Sequence, residues 1–141
     1  MFNMNIGLSL KINESSKTAE EFVHLYYSSV DAKRHQISRL YMDNATAIWN
    51  GNGISGNENI QQFVQRLPNT KHMIECINAQ PIIDESIPSQ EMILIVVSGI
   101  YRLHNDMAGR PFQQMFTLYA QGDKWKIAID NFRIQDAQWS M

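Results

Sequence analysis

At 141 residues, with a formal charge of −2 and 18% charged residues, the chain has the size and composition of one globular domain built on one core. Lys33, Arg34 and His35 form its only run of basic residues. That is too little for the cationic stripe that direct nucleic-acid binding needs, and it reads as a solvated helix end. A single cysteine, Cys76, excludes an intrachain disulfide and fits a reducing compartment.

The opening MFNMNIGLSLK lacks the basic start and small-residue cleavage site of a secretory leader. No apolar run approaches the ~20 residues that span a bilayer, so no membrane partner is expected, and cytosol or nucleus is the default. Residues 1–8 are expected to form a flexible tail, and residues 9–141 a single domain. From about Ser9 or Ser16 to Asp31, Ala19, Phe22, Val23, Tyr26, Tyr27 and Val30 recur at helical spacing. A short helix is expected over Arg34–Tyr41 and a strand over Thr46–Trp49. Asn50-Gly51-Asn52-Gly53 is a turn signal. Ser55 and Glu58 have the spacing of a capping box, which opens a helix carrying Ile60, Phe63, Val64 and Leu67. Pro68 ends that helix.

After Pro68 the helical period is gone. Strands are expected at His72–Gln80, Glu91–His104, Phe112–Gln121 and Lys124–Gln135. Between them lie a loop at Asp84–Ser89, a turn at Asn105–Arg110 and a tight turn at Gln121-Gly122-Asp123. Such short connections require antiparallel neighbours. Helices first and a strand meander second give an α+β domain.

The stretch Met92–Leu103 (MILIVVSGIYRL) is apolar at both strand parities, so both of its faces must be covered. The helices can cover one. On the other, Leu94, Val96 and Ile100 are joined by Met115, Ile127 and Ile129, and nothing left in the chain can cover them. An exposed patch of that kind implies a second protein packing sheet against sheet.

Motifs for chemistry are weak. Gly51-Asn-Gly53-Ile-Ser-Gly56 has the spacing of a dinucleotide loop but is followed by no βαβ repeat, so it reads as a turn before a helix. His24, His35, His72 and His104 are scattered without a ligand pattern, and with Cys76 alone no zinc site is expected. Asp130, on the parity of Phe132, has the chemistry of a general base if it points into a cavity near Tyr26 or Tyr41; the alternative is a carboxylate hydrogen-bonded at a strand bend. Trp49 and Trp125 read as core residues, and Trp139 as a residue that is exposed or anchored on a partner.

Several separated blocks carry a resemblance. Ala19-Glu-Glu-Phe-Val-His-Leu-Tyr-Tyr27, Ser38-Arg-Leu-Tyr-Met42, Ala47-Ile-Trp-Asn-Gly-Asn-Gly-Ile-Ser-Gly56, Gln80-Pro81, Pro88-Ser-Gln90 and Phe132-Arg-Ile-Gln-Asp136 together resemble the nuclear transport factor 2-related export proteins, small partner subunits of nuclear RNA export factors. The match covers about Ala19 to Trp139, with Trp139 two residues later than the family's ending. The resemblance implies a cone-shaped α+β fold, N-terminal helices on a strongly bent antiparallel sheet. It implies no catalysis and no cofactor. It also implies a heterodimer with the similarly folded domain of the large export factor, which links the pair to phenylalanine-glycine nucleoporins and to mRNA. The corresponding location is nucleus and cytoplasm, with transit through the nuclear pore.

In related dimers the packed face holds the positions matching Val96, Met115 and Asn131. Extending by the strand period adds Leu94, Ser98, Ile100, Gln113, Thr117, Tyr119, Ile127, Ile129 and Arg133. The opposite parity, Ile93, Ile95, Val97, Phe116, Leu118 and Phe132, then packs on the helices. A β-bulge would move these assignments by one residue. Arg133 matches an arginine that pairs with an acid of the large subunit. The alternatives are a homodimeric import factor of the same fold carrying a Ran-type GTPase, and a cavity enzyme of the isomerase or dehydratase kind.

Overall fold

The stripe from Ala19 to Val30 winds into α1 (Phe2–Ala32), and Ala19, Phe22, Val23, Tyr26, Tyr27 and Val30 are all buried. The computed structural model describes residues 2–83, 86, 90–103 and 108–135. Most of the Asp84–Ser89 loop, His104 with the first part of the turn after it, and Trp139 lie outside the described residues. The helix begins at Phe2, so the tail expected over residues 1–8 is helical from there on. No proline interrupts the segment, and once the packed half is formed each further residue adds one hydrogen bond.

A 3₁₀ helix, Arg34–Leu40, buries Ile37 and Leu40 and leads directly into β1 (Tyr41–Trp49), which starts earlier than its β-branched end suggested. Asn50 and Gly51 turn the chain with φ of 49° and 88°, the left-handed values that a two-residue hairpin demands. β2 (Asn52–Ser55) then pairs antiparallel with β1. Ser55 is therefore spent in a ladder, opposite Thr46, and does not cap the next helix. Gly56, at φ 89°, takes the N-cap place of α2 (Asn57–Arg66), with no side-chain cap. α2 buries Ile60 and Val64 and stops at Leu67, before Pro68.

The second half is β3 (Thr70–Ile82), β4 (Met92–Leu103), β5 (Arg110–Gln121) and β6 (Lys124–Ile134), consecutive antiparallel neighbours. The full sheet has six strands in the order β2-β1-β6-β5-β4-β3. It is mixed, because β1 runs parallel to β6. That pairing joins the first half of the fold to the last strand, and Asn50 secures it: its amide donates to Phe132 O at 2.9 Å, and its Oδ1 accepts from Ile134 N at 2.9 Å.

One face of the sheet packs under the helices. Ile93, Ile95 and Val97 of β4, Phe112, Phe116 and Leu118 of β5, and Ile127 and Phe132 of β6 form the core with the α1 stripe. Trp49 stacks on Phe132 with ring centroids 4.1 Å apart. The two-sided apolarity of β4 thus resolves into one buried parity and one that is not.

Candidate partner-binding face

The β4–β5–β6 register places Leu94 opposite Thr117, Val96 opposite Met115, and Ser98 opposite Gln113. It continues with Met115 opposite Asn131, Gln113 opposite Arg133, Thr117 opposite Ile129, and Tyr119 opposite Met92. These residues and Ile100 share the face away from the helices. Three apolar side chains there stay about half in water, Met115 at 39% exposure, Ile129 at 47% and Met73 of β3 at 51%, while Met92 is buried. A shallow depression of about 320 Å³, lined by Asn78, Ala79, Gln80, Leu94 and Val96, indents the β3 side. No described helix or strand packs over this face. Among the described residues Gly109 comes against it, where an added Cβ would meet Ile100 Cγ2 at 2.3 Å and Arg102 Nε at 3.2 Å.

One expected member does not belong. Ile127 is fully buried in the core, opposite Leu118 and beside Tyr41. Between Thr117–Ile129 and Leu118–Ile127 the register slips by one residue, leaving Ala128 as the extra residue of a β-bulge. The bulge turns residues before it to the opposite parity, so Ile127 faces the helices while Ile129, Asn131 and Arg133 keep the open face. Beyond the strand ladder, neither the Arg133 nor the Asn131 side chain has a hydrogen bond or ion pair among the described residues.

The possible general base is a buried carboxylate held by hydrogen bonds. Asp130 is 1% exposed. Its Oδ2 accepts from Tyr41 OH at 2.6 Å and Tyr26 OH at 3.3 Å, and its Oδ1 accepts from Gln114 Nε2 at 2.7 Å. Gln114 is itself buried and accepts from Tyr27 OH at 2.6 Å. Burial pushes the Asp130 carboxyl up to about 6, and the hydrogen bonds from Gln114, Tyr41 and Tyr26 hold it from rising further. Burial, then the nearby Asp130 carboxylate, raise the Tyr26 and Tyr41 phenols well above their ordinary value, so both remain donors. α1 supplies Tyr26 and Tyr27, β1 Tyr41, β5 Gln114 and β6 Asp130. The network ties helix to sheet with every buried polar atom satisfied, as a low-dielectric site requires.

Sequence reading missed a second polar tie. Arg34, expected to be solvated, donates from Nε to Val30 O at 2.8 Å and from its guanidinium to the Leu67 and Pro68 carbonyls and to Thr70 Oγ1 at 3.1 Å. Asp31 accepts from Thr70 Oγ1 at 2.9 Å and His72 N at 3.0 Å, and lies 2.8 Å from His72 Nδ1. An acid in the last turn of α1 and a cation at the start of the 3₁₀ helix thus fasten the α2–β3 junction. Their adjacency at a helix end was the available signal. Among the described residues no group of His, Cys, Asp and Glu side chains is placed to hold a metal ion.

The nuclear transport factor 2 (NTF2) domain model matches residues 18–134. The chain is similar to NTF2-related export protein 1 of Bos taurus, 42% identical over 136 residues that cover 94% of this chain and 96% of the relative. Its fold is similar to that of nuclear transport factor 2 (Ntf2) from Cryptosporidium parvum, with a TM-score of 0.76 at 22% identity over 86% of this chain and 95% of that one. It is also similar, at a TM-score of 0.73 and 19% identity over 86% of this chain and 96% of that one, to a chain of the yeast deubiquitinase Ubp3 and Bre5 cofactor complex. With the domain model spanning α1 to β6 and a close relative aligned almost end to end, the chain belongs to the nuclear transport factor 2 family, among its NTF2-related export proteins.

Proposed function

We propose that this chain is the small, non-enzymatic subunit of a nuclear RNA export factor. Its open sheet face pairs with the NTF2-like domain of the large subunit, and the heterodimer supports mRNA export through the nuclear pore, moving between nucleus and cytoplasm. The observation that carries this reading is the apolar centre of that face, where Met115 and Ile129 stand 39% and 47% exposed on strands otherwise built as core. Relatives named NTF2-related export proteins support the same role. In this reading contact with phenylalanine-glycine nucleoporins and with mRNA runs through the large subunit. The cavity-enzyme alternative is disfavoured by Asp130: it is buried at 1% exposure and its oxygens are engaged by three buried donors, so it is not presented to a substrate.

The test is co-expression with the NTF2-like domain of a candidate large subunit, followed by light scattering on the purified material. The expected product is a one-to-one complex that melts at higher temperature than this chain alone. Arg133→Glu is expected to weaken it at least about tenfold, since it sets two carboxylates face to face. A chain that stays monomeric beside every candidate domain, with no gain in melting temperature, overturns the proposal.

A further inference from the structure

Two asparagines of the chain are followed by glycine, Asn50 and Asn52, and both stand in the β1–β2 hairpin. An asparagine before glycine is open to attack by its own backbone, because glycine has no side chain to shield the amide nitrogen that follows. Base takes the proton of the glycine amide, and the nitrogen attacks Cγ of the asparagine. A C–N bond closes a succinimide ring while the Cγ–Nδ2 bond breaks, and ammonia leaves with a proton. Water then opens the ring at either carbonyl, which yields aspartate or isoaspartate. Water enters, ammonia leaves, nothing is oxidised, and the residue gains a negative charge. The reaction needs a glycine amide with no acceptor of its own, a side chain free to swing towards it, and access to water.

The hairpin meets these needs at one position and withholds them at the other. Asn50 is the first residue of the turn, in left-handed backbone at φ 49°. Its Oδ1 accepts from Ile134 N at 2.9 Å, and its own amide donates to Phe132 O at 2.9 Å. To reach the Gly51 nitrogen its side chain must let go of β6. Asn52 opens β2 and is exposed, as is Gly53. The Asn52 carboxamide is tied only through the group that would leave: Nδ2 donates to Trp49 O at 3.3 Å, longer than the usual range, and Oδ1 has no bond among the described residues.

The residues that flank a two-residue turn exchange hydrogen bonds, and in an antiparallel ladder the next pair does not. Trp49 and Asn52 flank this turn, and Gly53 stands opposite Ile48 in the next pair. The Gly53 amide therefore points off the ladder. β2 is the outermost strand, with no described strand beyond it. Ser55, on the parity of Gly53, agrees with this phase: its carbonyl leaves the ladder and accepts from Asn59 Nδ2 at 2.9 Å. No acceptor is placed on the Gly53 amide among the described residues.

We infer that Asn52 is a site of spontaneous deamidation, with the Gly53 nitrogen as nucleophile, and that Asn50 is protected by its hold on β6. The isoaspartate product runs its backbone through Cβ and Cγ, which lengthens β2 and disturbs the pairs beyond it, Gly53–Ile48, Ile54–Ala47 and Ser55–Thr46.

The experiment is incubation of the purified, folded chain in mildly alkaline buffer, then proteolysis and mass spectrometry, with the aspartate and isoaspartate peptides separated by chromatography. Asn52 is expected to convert at least about tenfold faster than Asn50. In urea, where the hairpin is lost, the two rates are expected to approach each other. Gly53 has nothing within 4 Å of an added Cβ and no left-handed φ, so Gly53→Ala keeps the fold. That variant is expected to slow conversion of Asn52 at least about tenfold. Equal rates at the two asparagines of the folded chain, faster conversion of Asn50, or a folded Gly53→Ala chain that converts as the wild type does overturns the inference. So does an Asn52 that stays intact in the folded chain while it converts in urea, since the strand would then be shielding it. The wild-type comparison decides the matter even if the variant fails to fold. No partner is needed, so the outcome is independent of the export-factor proposal.

Discussion

Asp130 sits where a carboxylate is costly, inside the core, and it is held there by Tyr26, Tyr41 and Gln114. Its pKa is raised to about 6 from an ordinary value of 3.8, which makes it a pH-dependent liability. Below the ordinary value the group is protonated in both the folded and the unfolded chain, and costs nothing. As pH rises towards 6 the unfolded chain ionises first, so stability from this group falls through that window and is lowest above it. The full drop is roughly 3 kcal/mol. Asp130→Asn removes it. The wild-type chain is expected to lose urea stability relative to the Asn variant as pH rises from about 4 to about 7. A pH-independent difference between the two would mean that Asp130 ionises in the fold as it does in water.

At the scale of elements, much was legible because periodicity is a direct image of packing. The α1 stripe, the α2 helix and the four long strands follow from spacing, while the core parity of β4 and β5 came with the family resemblance. The departures share one cause, which is that ladders and bulges depend on strand partners that residue spacing does not reveal. Nothing in Lys124–Ile134 marks Ala128 as the residue that slips register, so Ile127 was assigned to the wrong face. The parallel β1–β6 pair joins residues from opposite ends of the chain, and Ser55 looked like a cap because its strand partner, Thr46, lies on the preceding strand. The open face itself was legible as an apolar parity without a cover, and the resemblance alone attached a partner to it.

A bulge in β3, between the Ile74–Gly99 and Cys76–Ser98 pairs, brings backbone against backbone at Gly99, where an added Cβ would lie 2.1 Å from Met73 O and 3.1 Å from Phe112 Cε1. Gly99→Ala is therefore expected to lower unfolding free energy by about 1–3 kcal/mol, read by urea denaturation, as for other overpacked sites. A neutral effect would show that the bulge relaxes freely.

At the scale of the whole molecule, the fold is half of an interior. α1, the 3₁₀ helix and α2 complete one side of the sheet, while the other leaves Met115, Ile129 and Met73 about half exposed. α1 also exposes an apolar side chain, Leu25, at 50%, comparable to Ile129 at 47% and Met73 at 51%. Exposure alone therefore does not say which side a partner covers. Hydroxyl-radical footprinting of the chain, free and bound to the export-factor domain, separates the two directly. Labelling of Met115, Ile129 and Met73 is expected to fall severalfold in the complex, while Leu25 is labelled as before. Protection of Leu25 with Met115 and Ile129 unchanged would place the partner on the helix side and contradict the account.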